Sequence, residues 1–280
     1  YFILMKAVVL VGGAAQRLEM YIGSYNKHLI PMGSNLIIEK GIKDLLRVGV
    51  SEFFIITNHS WEEDFRFILQ ERCKLGGTRV TVHASKMMKM PLPDVLFEAK
   101  DFVNKDNFLF FLGDNVFLSP HPYNLLNTLI TKNNPNTIVL AKSKEISEFG
   151  VPVFQKNSNV LKYIEEKPIK FIDTLKFDWV TTGLAYYTPE VFDLAHLLML
   201  EAKPNRSLSD IHNLMIIKKS LKVIKWSGLW FDVGTYQRYK EALYFVLKNG
   251  DDFRFDIEIC PRTEMIKATL FAEKLSNLLK

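Results

Sequence analysis

The chain has 280 residues, 48% of them hydrophobic and 24% charged, with a formal net charge of +5, so it can bury a substantial core as one large α/β domain or two smaller ones. The basic residues are scattered rather than clustered with aromatic residues, which argues against a nucleic acid partner and favours a small phosphorylated ligand. No apolar run approaches about 20 residues, so neither a transmembrane helix nor a membrane partner is expected.

The first predicted element is a buried strand over residues 7–11, an apolar and β-branched run that ends at a glycine pair. Gly12 and Gly13 allow a sharp turn that exposes backbone N–H groups to an oxyanion, and Ala14 keeps that turn small. Arg17 adds a guanidinium just beyond the turn. This pattern is typical of a phosphate-binding loop, and an ordinary strand-to-loop turn with a surface arginine is the alternative.

A second cation follows in residues 26–31, where Pro31 argues against a helix interior and places Lys27 in a loop that faces the same region. Beyond it, the spacing of apolar residues predicts a helix over 37–48, a strand over 53–57, a helix beginning near Trp61, a strand over 79–83 and a helix over 95–102. This repeating pattern predicts a parallel sheet with ligands bound at the carboxyl ends of its strands.

Two aspartates follow predicted strands. The fourth strand, over residues 108–112, runs directly into Gly113 and Asp114, and Asp232 lies between aromatic residues and a glycine turn. A carboxylate at this edge of a sheet is well suited to hold Mg²⁺ against a phosphate, and an aspartate that caps a turn is the plainer alternative. The two aspartates could share one metal ion.

The second half of the chain is richer in strands. The pattern predicts strands over 137–143 and 180–187, a hairpin of 148–154 with 160–164, helices over 189–200 and 209–219, a strand over 221–226 and a helix ending at Leu247. Residues 165–168 either form a solvated charged turn or reach a polar ligand. Because no repeat or low-complexity linker separates the halves, we expect one continuous structure.

The two ends of the chain differ from its centre. Tyr1 to Leu4 precede Met5 and are expected to be an upstream extension or a cloning remnant. The tail 251–280 becomes helical from Glu264 and is expected to pack on the body or on a second subunit, which favours a homo-oligomer. Cys73 and Cys260 lack neighbouring metal ligands and indicate a reducing, cytoplasmic compartment.

Eight motifs occur in order along the chain: GGAAQRL, NKHLIP, LGDN, EFGV, EEKP, TTGL, SLSD and WFDVGT. Together they resemble the sugar-1-phosphate nucleotidyltransferases, most of all the glucose-1-phosphate thymidylyltransferase branch. The resemblance implies an α/β, Rossmann-like nucleotidyltransferase fold: a mixed, mostly parallel sheet flanked by helices, with an inserted β-rich sugar-binding part. It places one domain at 5–250, with a nucleotide-binding half at 5–135 and a sugar-phosphate half at 136–250, before the helical tail.

The implied reaction joins a nucleoside triphosphate to a sugar 1-phosphate, with glucose 1-phosphate expected, and releases pyrophosphate. The resemblance implies that the nucleotide binds Gly12, Gly13, Ala14, Arg17, Lys27 and His83. It implies as catalytic residues Arg17, Lys27, Asp114 and Asp232, with both aspartates as ligands of a Mg²⁺ cofactor. For the sugar phosphate it implies Asn115, Gly150, Glu166, Lys167, Thr182 and Gly183.

Departures from the family pattern leave a second function open. Ala15 and Gln16 replace a glycine and a threonine of the phosphate loop, and Val95 and Glu98 replace a glycine and an amide in the base-recognition region. The alternative is a weakly active or inactive paralogue that binds a sugar phosphate or nucleotide and regulates a partner subunit. We expect an active enzyme, because a chain freed from catalysis would have little reason to keep both aspartates and the cations.

Overall fold

The computed structural model describes residues 5–13, 17–72, 78–86, 90–118, 122–130, 136–168, 179–201 and 205–249. Its strands are β1 (Met5–Leu10), β2 (Pro31–Met32), β3 (Asn35–Leu36), β4 (Val50–Asn58), β5 (Arg79–Ser85), β6 (Phe108–Leu112), β7 (Asn115–Leu118), β8 (Asn136–Lys142), β9 (Gly150–Phe154), β10 (Leu161–Glu166), β11 (Trp179–Tyr187), β12 (Leu221–Lys225) and β13 (Leu229–Asp232). The predictions for Tyr1 to Leu4, Ala14, the two cysteines and the tail from 251 lie outside the described residues.

The helices are α1 (Glu19–Ile22), α2 (Ile37–Arg47), α3 (Glu62–Phe67), α4 (Leu92–Phe97), α5 (Lys100–Val103), α6 (Pro122–Ile130), α7 (Glu190–Leu200), α8 (Leu208–Ile217) and α9 (Tyr236–Lys248). Short 3₁₀ turns occupy Lys27–Leu29, His59–Trp61 and Ile146–Glu148, and a π-helical turn follows α3 at Ile68–Arg72. Among these described helices, none is both long and apolar enough to cross a bilayer.

A seven-stranded sheet in the order β12-β8-β11-β6-β1-β4-β5 forms the centre of the fold. The strands β6, β1, β4 and β5 run parallel, β11 is antiparallel to both β6 and β8, and β12 is again parallel to β8. The predicted mixed, mostly parallel α/β sheet is therefore confirmed. Strands from both predicted halves of the domain belong to this one sheet, and the boundary between the halves stays a prediction.

The central strand β1 shows why the sheet is covered on both faces. Successive side chains of a strand point to opposite faces, so Ala7 and Val9 belong to the core under α2, α3 and α9, whereas Val8 and Leu10 belong to the core under α4, α7 and α8. Both sets are buried, which explains the uninterrupted apolar run in the sequence. The result is a sheet between two layers of helices.

One local prediction was wrong, and one strand was not predicted. The helix predicted over 95–102 is divided into α4 and α5, because Glu98 and Ala99 donate backbone hydrogen bonds to residues three positions back rather than four. The strand β7 was not predicted; it pairs antiparallel with β13, placing Asn115 opposite Asp232. This pairing brings together the two segments that contain the predicted aspartates.

Candidate functional site

A cavity of about 210 Å³ opens at the carboxyl ends of β1, β4 and β6. In a sheet of this kind, that edge is where ligands bind. Predicted site residues in its wall include Gly12, Gly13, Lys27 and Asp114. The sheet therefore brings together residues that lie about a hundred positions apart in sequence.

The glycine turn is shaped by the neighbouring strand. A side chain at position 12 would lie 3.4 Å from the backbone of Thr57 at the end of β4, whereas nothing lies within 4 Å of the corresponding point on Gly13. Position 12 therefore lies in van der Waals contact with the end of β4, and Gly13 faces open space. Arg17, beyond the turn, is half exposed and forms an ion pair with Glu148.

Lys27 is held in place by the residue before it. Asn26 caps the short 3₁₀ turn by accepting a hydrogen bond from the backbone N–H of His28 at 2.9 Å, and its side-chain amide donates to the carbonyl of Val11 at 3.1 Å. Lys27 therefore begins its turn next to the end of β1. Its ammonium forms an ion pair with Asp114, and both side chains are almost buried.

The two predicted metal ligands lie on adjacent backbone segments. The backbone N–H of Val233 donates to the carbonyl of Asp114 at 2.8 Å, and the guanidinium of Arg238 lies 3.5 Å from Asp232. Burial acts to raise the pKa of Asp114, but the charges of Lys27 and His28 and the hydrogen bonds from Lys27 and Asn115 together outweigh it and hold that pKa well below its usual range. Burial and then the charge of Asp114 raise the pKa of Asp232 to about 6.

The pKa shifts of Asp114 and Asp232 bear on whether the site suits a divalent cation. Burial first, and then the charge of Asp114, raises the pKa of Asp232, so an added cation would stabilise the ionised form of this carboxylate. Carboxylate oxygens are hard ligands, and Mg²⁺ is commonly held by one or two of them together with substrate phosphates. Within the described part of the chain, no cluster of three or more acidic, histidine or cysteine ligands forms. The donor set therefore fits Mg²⁺ shared between protein and phosphate.

The predicted sugar-side residues lie along the neighbouring strands. A Cβ on Gly150 would lie 2.6 Å from Ser209 Oγ and 2.7 Å from Thr181 Oγ1, and Ser209 in turn donates to Glu166 at 2.7 Å. Lys167, which follows β10, has a φ of +46° and donates its backbone N–H to the carbonyl of Phe149. The structure thus places Gly150 and Glu166 together against the start of α8.

Thr182 and Gly183 lie on β11, and Gly183 contacts Asn115, the residue after Asp114. Thr182 Oγ1 donates to the carbonyl of Val139 at 3.0 Å, and Gly183 donates its N–H to Asn115 Oδ1 at 2.8 Å. A Cβ on Gly183 would lie 2.5 Å from the Cβ of Leu112, a residue of the cavity wall. The glycine is required here by close packing of β11 against β6.

Asn115 was predicted to bind the sugar phosphate, yet it is only 2% exposed. Its Oδ1 accepts from Gly183 and from Trp230 Nε1 at 2.7 Å, and its Nδ2 donates to Asp114 Oδ1 at 2.9 Å. These contacts favour a supporting role in which Asn115 orients Asp114. Its substrate-binding role stays a prediction.

On β5 the cavity wall is formed by Ser85, two residues beyond the predicted His83. His83 Nε2 lies 3.0 Å from Glu98 Oε2, and Ser85 Oγ donates to Glu98 Oε1 at 3.1 Å. Glu98 thus holds both side chains, and Val95 from α4 lines the same cavity. Ser85 was not among the site residues predicted from the sequence. It lies nearer than His83 to the carboxyl end of the strand, where ligands are expected, and this position could have indicated it.

Arg238 was also missed. It lies in the first turn of α9 with a side chain only 9% exposed, forms an ion pair with Glu145, and packs its guanidinium 4.8 Å from the ring centre of Phe149. A buried cation six residues after Asp232 therefore offsets part of the negative charge of the site. No sequence signal distinguished Arg238 from the other basic residues of α9.

Comparison with known proteins places this geometry in context. The family model described as nucleotidyl transferase matches residues 6–249. The chain is 28% identical over 248 residues to a glucose-1-phosphate thymidylyltransferase from Neisseria meningitidis, a match that covers 86% of this chain and 82% of that one.

Solved structures show the same fold. A Bacillus anthracis protein assigned as a glucose-1-phosphate thymidylyltransferase, solved in complex with sucrose, superimposes with a TM-score of 0.77 at 26% identity over 90% of this chain and 97% of that one. A UDP-glucose pyrophosphorylase complexed with UDP-glucose superimposes with a TM-score of 0.75 at 18% identity over 88% of this chain and 100% of that one.

Proposed function

Because the chain belongs to the nucleotidyl transferase family and is a sugar-1-phosphate nucleotidyltransferase, we propose that it transfers a nucleotidyl group to glucose 1-phosphate and releases pyrophosphate. The observation that carries the proposal is the cluster of Lys27, Asp114 and Asp232, of which Lys27 and Asp114 line the cavity and Asp232 lies close enough to interact with both charges. The similarity to glucose-1-phosphate thymidylyltransferases supports glucose 1-phosphate as the acceptor and thymine as the first base to test.

The proposed reaction requires the two substrates to be aligned and requires no nucleophile from the protein. An oxygen of the sugar phosphate is already anionic and attacks the α-phosphorus, the bond to the leaving pyrophosphate breaks, and no proton has to be removed. Two anions must therefore be brought together and their charges offset, which is the work of positioned cations. A Mg²⁺ ion held by Asp114 and Asp232 would supply further charge neutralisation at the phosphates.

The side chains have complementary proposed roles. Lys27 is nearly buried and reaches Asp114, so it is placed to contact the reacting phosphates. Arg17 is half exposed and is paired with Glu148, a carboxylate that the triphosphate would replace. Glu166 and Lys167 are proposed to bind the sugar phosphate from the end of β10. Ser85 and Val95 form the cavity wall that would face the base.

Pyrophosphate release with Mg²⁺ and glucose 1-phosphate tests the proposal, with dTTP, UTP, CTP, GTP and ATP supplied separately. We expect one triphosphate to be preferred and Asp114→Asn to abolish release. Asp101→Asn is the matched control, since Asp101 is an exposed carboxylate on α5. No release with any triphosphate, or with other sugar 1-phosphates, from folded protein that still binds a nucleotide would contradict the proposal and favour a regulatory subunit.

A further inference from the structure

A buried ion pair connects the helix on the nucleotide side of the site with the helix on the sugar side. Arg206 Nε donates to Asp94 Oδ1 at 2.6 Å and Nη2 donates to Oδ2, so the pair is bidentate. The Asp94 side chain is fully buried and that of Arg206 is 13% exposed. A bidentate pair fixes geometry as well as charge, so it sets the relative position of the two elements that it joins.

Asp94 belongs to α4, whose residues Leu92 and Val95 line the cavity. This helix has six residues, and a helix of that length is not stable by itself. Its position therefore depends on contacts with the rest of the chain. Besides the ion pair, Phe97 stacks on His196 of α7 with ring centres 5.6 Å apart. The ion pair is therefore one of the contacts that hold α4, and with it part of the cavity wall, in place.

Arg206 directly precedes Ser207, the N-cap residue of α8. The backbone N–H of Ser207 donates to the carboxylate of Asp210 at 2.7 Å in a capping box that fixes where the helix begins. Ser209, in the first turn, donates to Glu166 at 2.7 Å. The start of α8 is therefore bound to α4 through Arg206 and to the end of β10 through Ser209.

We propose that Asp94 and Arg206 are a positioning pair that couples nucleotide binding to sugar-phosphate binding, an inference that rests on the proposed function. A nucleotide packed against α4 fixes that helix, and the ion pair then fixes the start of α8 and the carboxylate of Glu166. The sugar phosphate meets a site that is already ordered, and the coupling acts equally in the other direction.

The coupling is measured by calorimetric titration of glucose 1-phosphate with Mg²⁺, in the presence and absence of α,β-methylene dTTP, an analogue that binds without turnover. In the unmodified protein the analogue should tighten glucose 1-phosphate binding by about fivefold or more. The double variant D94N/R206Q removes both charges and leaves neither buried alone. In that variant the analogue should tighten glucose 1-phosphate binding by less than about twofold.

Lys218→Gln is the matched control for this titration. Lys218 lies at the C-terminal end of α8, away from Arg206, and the substitution removes its ion pair with Glu190. In this variant the analogue should tighten glucose 1-phosphate binding as much as in the unmodified protein. Arg206→Lys keeps the charge but loses the bidentate geometry, so its factor should be intermediate. A folded double variant that retains the coupling factor of the unmodified protein would overturn the inference.

Amide hydrogen exchange of the ligand-free protein tests the connection without any substrate. The double variant should exchange about tenfold faster than the unmodified protein at residues 92–97 and 207–210, and equally at the α2 residues 37–47. Equal exchange at 92–97 would show that the pair does not hold α4, and the inference would fall.

The two measurements separate the inference from the proposed function. If the unmodified protein binds neither probe and releases no pyrophosphate with any triphosphate, the proposed function fails and the coupling fails with it. Hydrogen exchange then still decides whether the pair positions α4. If a triphosphate other than dTTP supports turnover, its methylene analogue takes the place of the thymidine probe.

Discussion

At the scale of single residues, the site depends on charges held where water is largely excluded. The side chains of Lys27, Asp114 and Asp232 are 12%, 13% and 19% exposed, and charges in such surroundings interact more strongly than charges at the surface. Burial would lower the pKa of Lys27, yet the charge of Asp114, the hydrogen bond to it and the charge of Asp232 together more than offset burial and raise that pKa. The lysine therefore stays charged and available to a phosphate.

Lys27→Gln should lower kcat/KM by about 100- to 1,000-fold, as is typical when one group that stabilises developing charge is removed. Pyrophosphate release measures the effect. Lys105→Gln is the matched control, because Lys105 is exposed in the turn before β6, at the end of that strand away from the cavity. A decrease smaller than about tenfold for Lys27→Gln would contradict the proposed role.

His212 makes the stability of the fold depend on pH. Burial lowers its pKa to about 3, and its Nε2 lies 2.7 Å from the hydroxyl of Tyr187. Because the unfolded chain binds this proton near pH 6.5 and the folded chain does not, stability is lost as pH falls from about 6.5 toward 3, by about 1.4 kcal/mol per pH unit.

His212→Gln should therefore reduce the difference in the free energy of unfolding between pH 7 and pH 5 by about 2 kcal/mol, measured by urea denaturation. His59→Gln is the control, because His59 is 92% exposed and its replacement should leave the pH dependence unchanged. An equal pH dependence in the unmodified protein and in His212→Gln would contradict the burial of this imidazole as a neutral group.

At the scale of elements, the pairing of β7 with β13 assembles the site. The pair places Asn115 opposite Asp232, and a hydrogen bond from Trp230 of β13 to Asn115 of β7 locks the two strands together. Gly183 of β11 packs against the same asparagine. Three elements thus meet at one buried amide, which in turn orients Asp114.

Gly183→Ala should destabilise the protein by about 1–3 kcal/mol, because the new methyl group would lie 2.5 Å from Leu112 Cβ and 2.7 Å from Asn115 Nδ2. It should also lower turnover, since Asn115 must move away from Asp114. Urea denaturation and pyrophosphate release measure the two effects. Gly13→Ala is the comparison for stability, because nothing lies within 4 Å of its added methyl group. Equal stability of the two variants would contradict the packing described for β11.

At the scale of the whole molecule, the sheet carries the predicted nucleotide and sugar subsites side by side. The cavity opens at the ends of β1, β4 and β6, while β11 lies next to β6 and packs Gly183 against Leu112, a residue of the cavity wall. Charged side chains from distant segments therefore lie at one edge of the sheet. The balance of positive and negative charge at that edge affects the stability of the whole fold.

Saturating Mg²⁺ should raise the thermal midpoint of the protein by a few degrees, because an ion that binds only the folded state stabilises it by about 2.7 kcal/mol at a hundred times its Kd. Asp232→Asn should lose most of this shift. Sodium chloride at matched ionic strength is the control in differential scanning calorimetry. An equal Mg²⁺ response in Asp232→Asn would contradict a metal site that includes this carboxylate.

The sequence by itself determined the α/β class, the order of the main strands and helices, and the family. These follow from local features: the apolar run of β1, the glycine turn, the spacing of apolar residues in α2, and the eight ordered motifs. Each can be interpreted without knowing which distant residue lies nearby. The family assignment and the enzyme class were confirmed, and the individual roles of the site residues stay predictions.

Only the tertiary structure decided which distant residues meet. It brought Gly183 and Trp230 to Asn115, and it joined Asp94 to Arg206 across 112 positions. Strand register and buried ion pairs depend on the packing of segments that are far apart in the chain, and a local pattern of apolar and polar residues contains no information on which partner is chosen. The candidate site residues could therefore be proposed from the sequence, whereas the contacts that support them arise from how the layers pack.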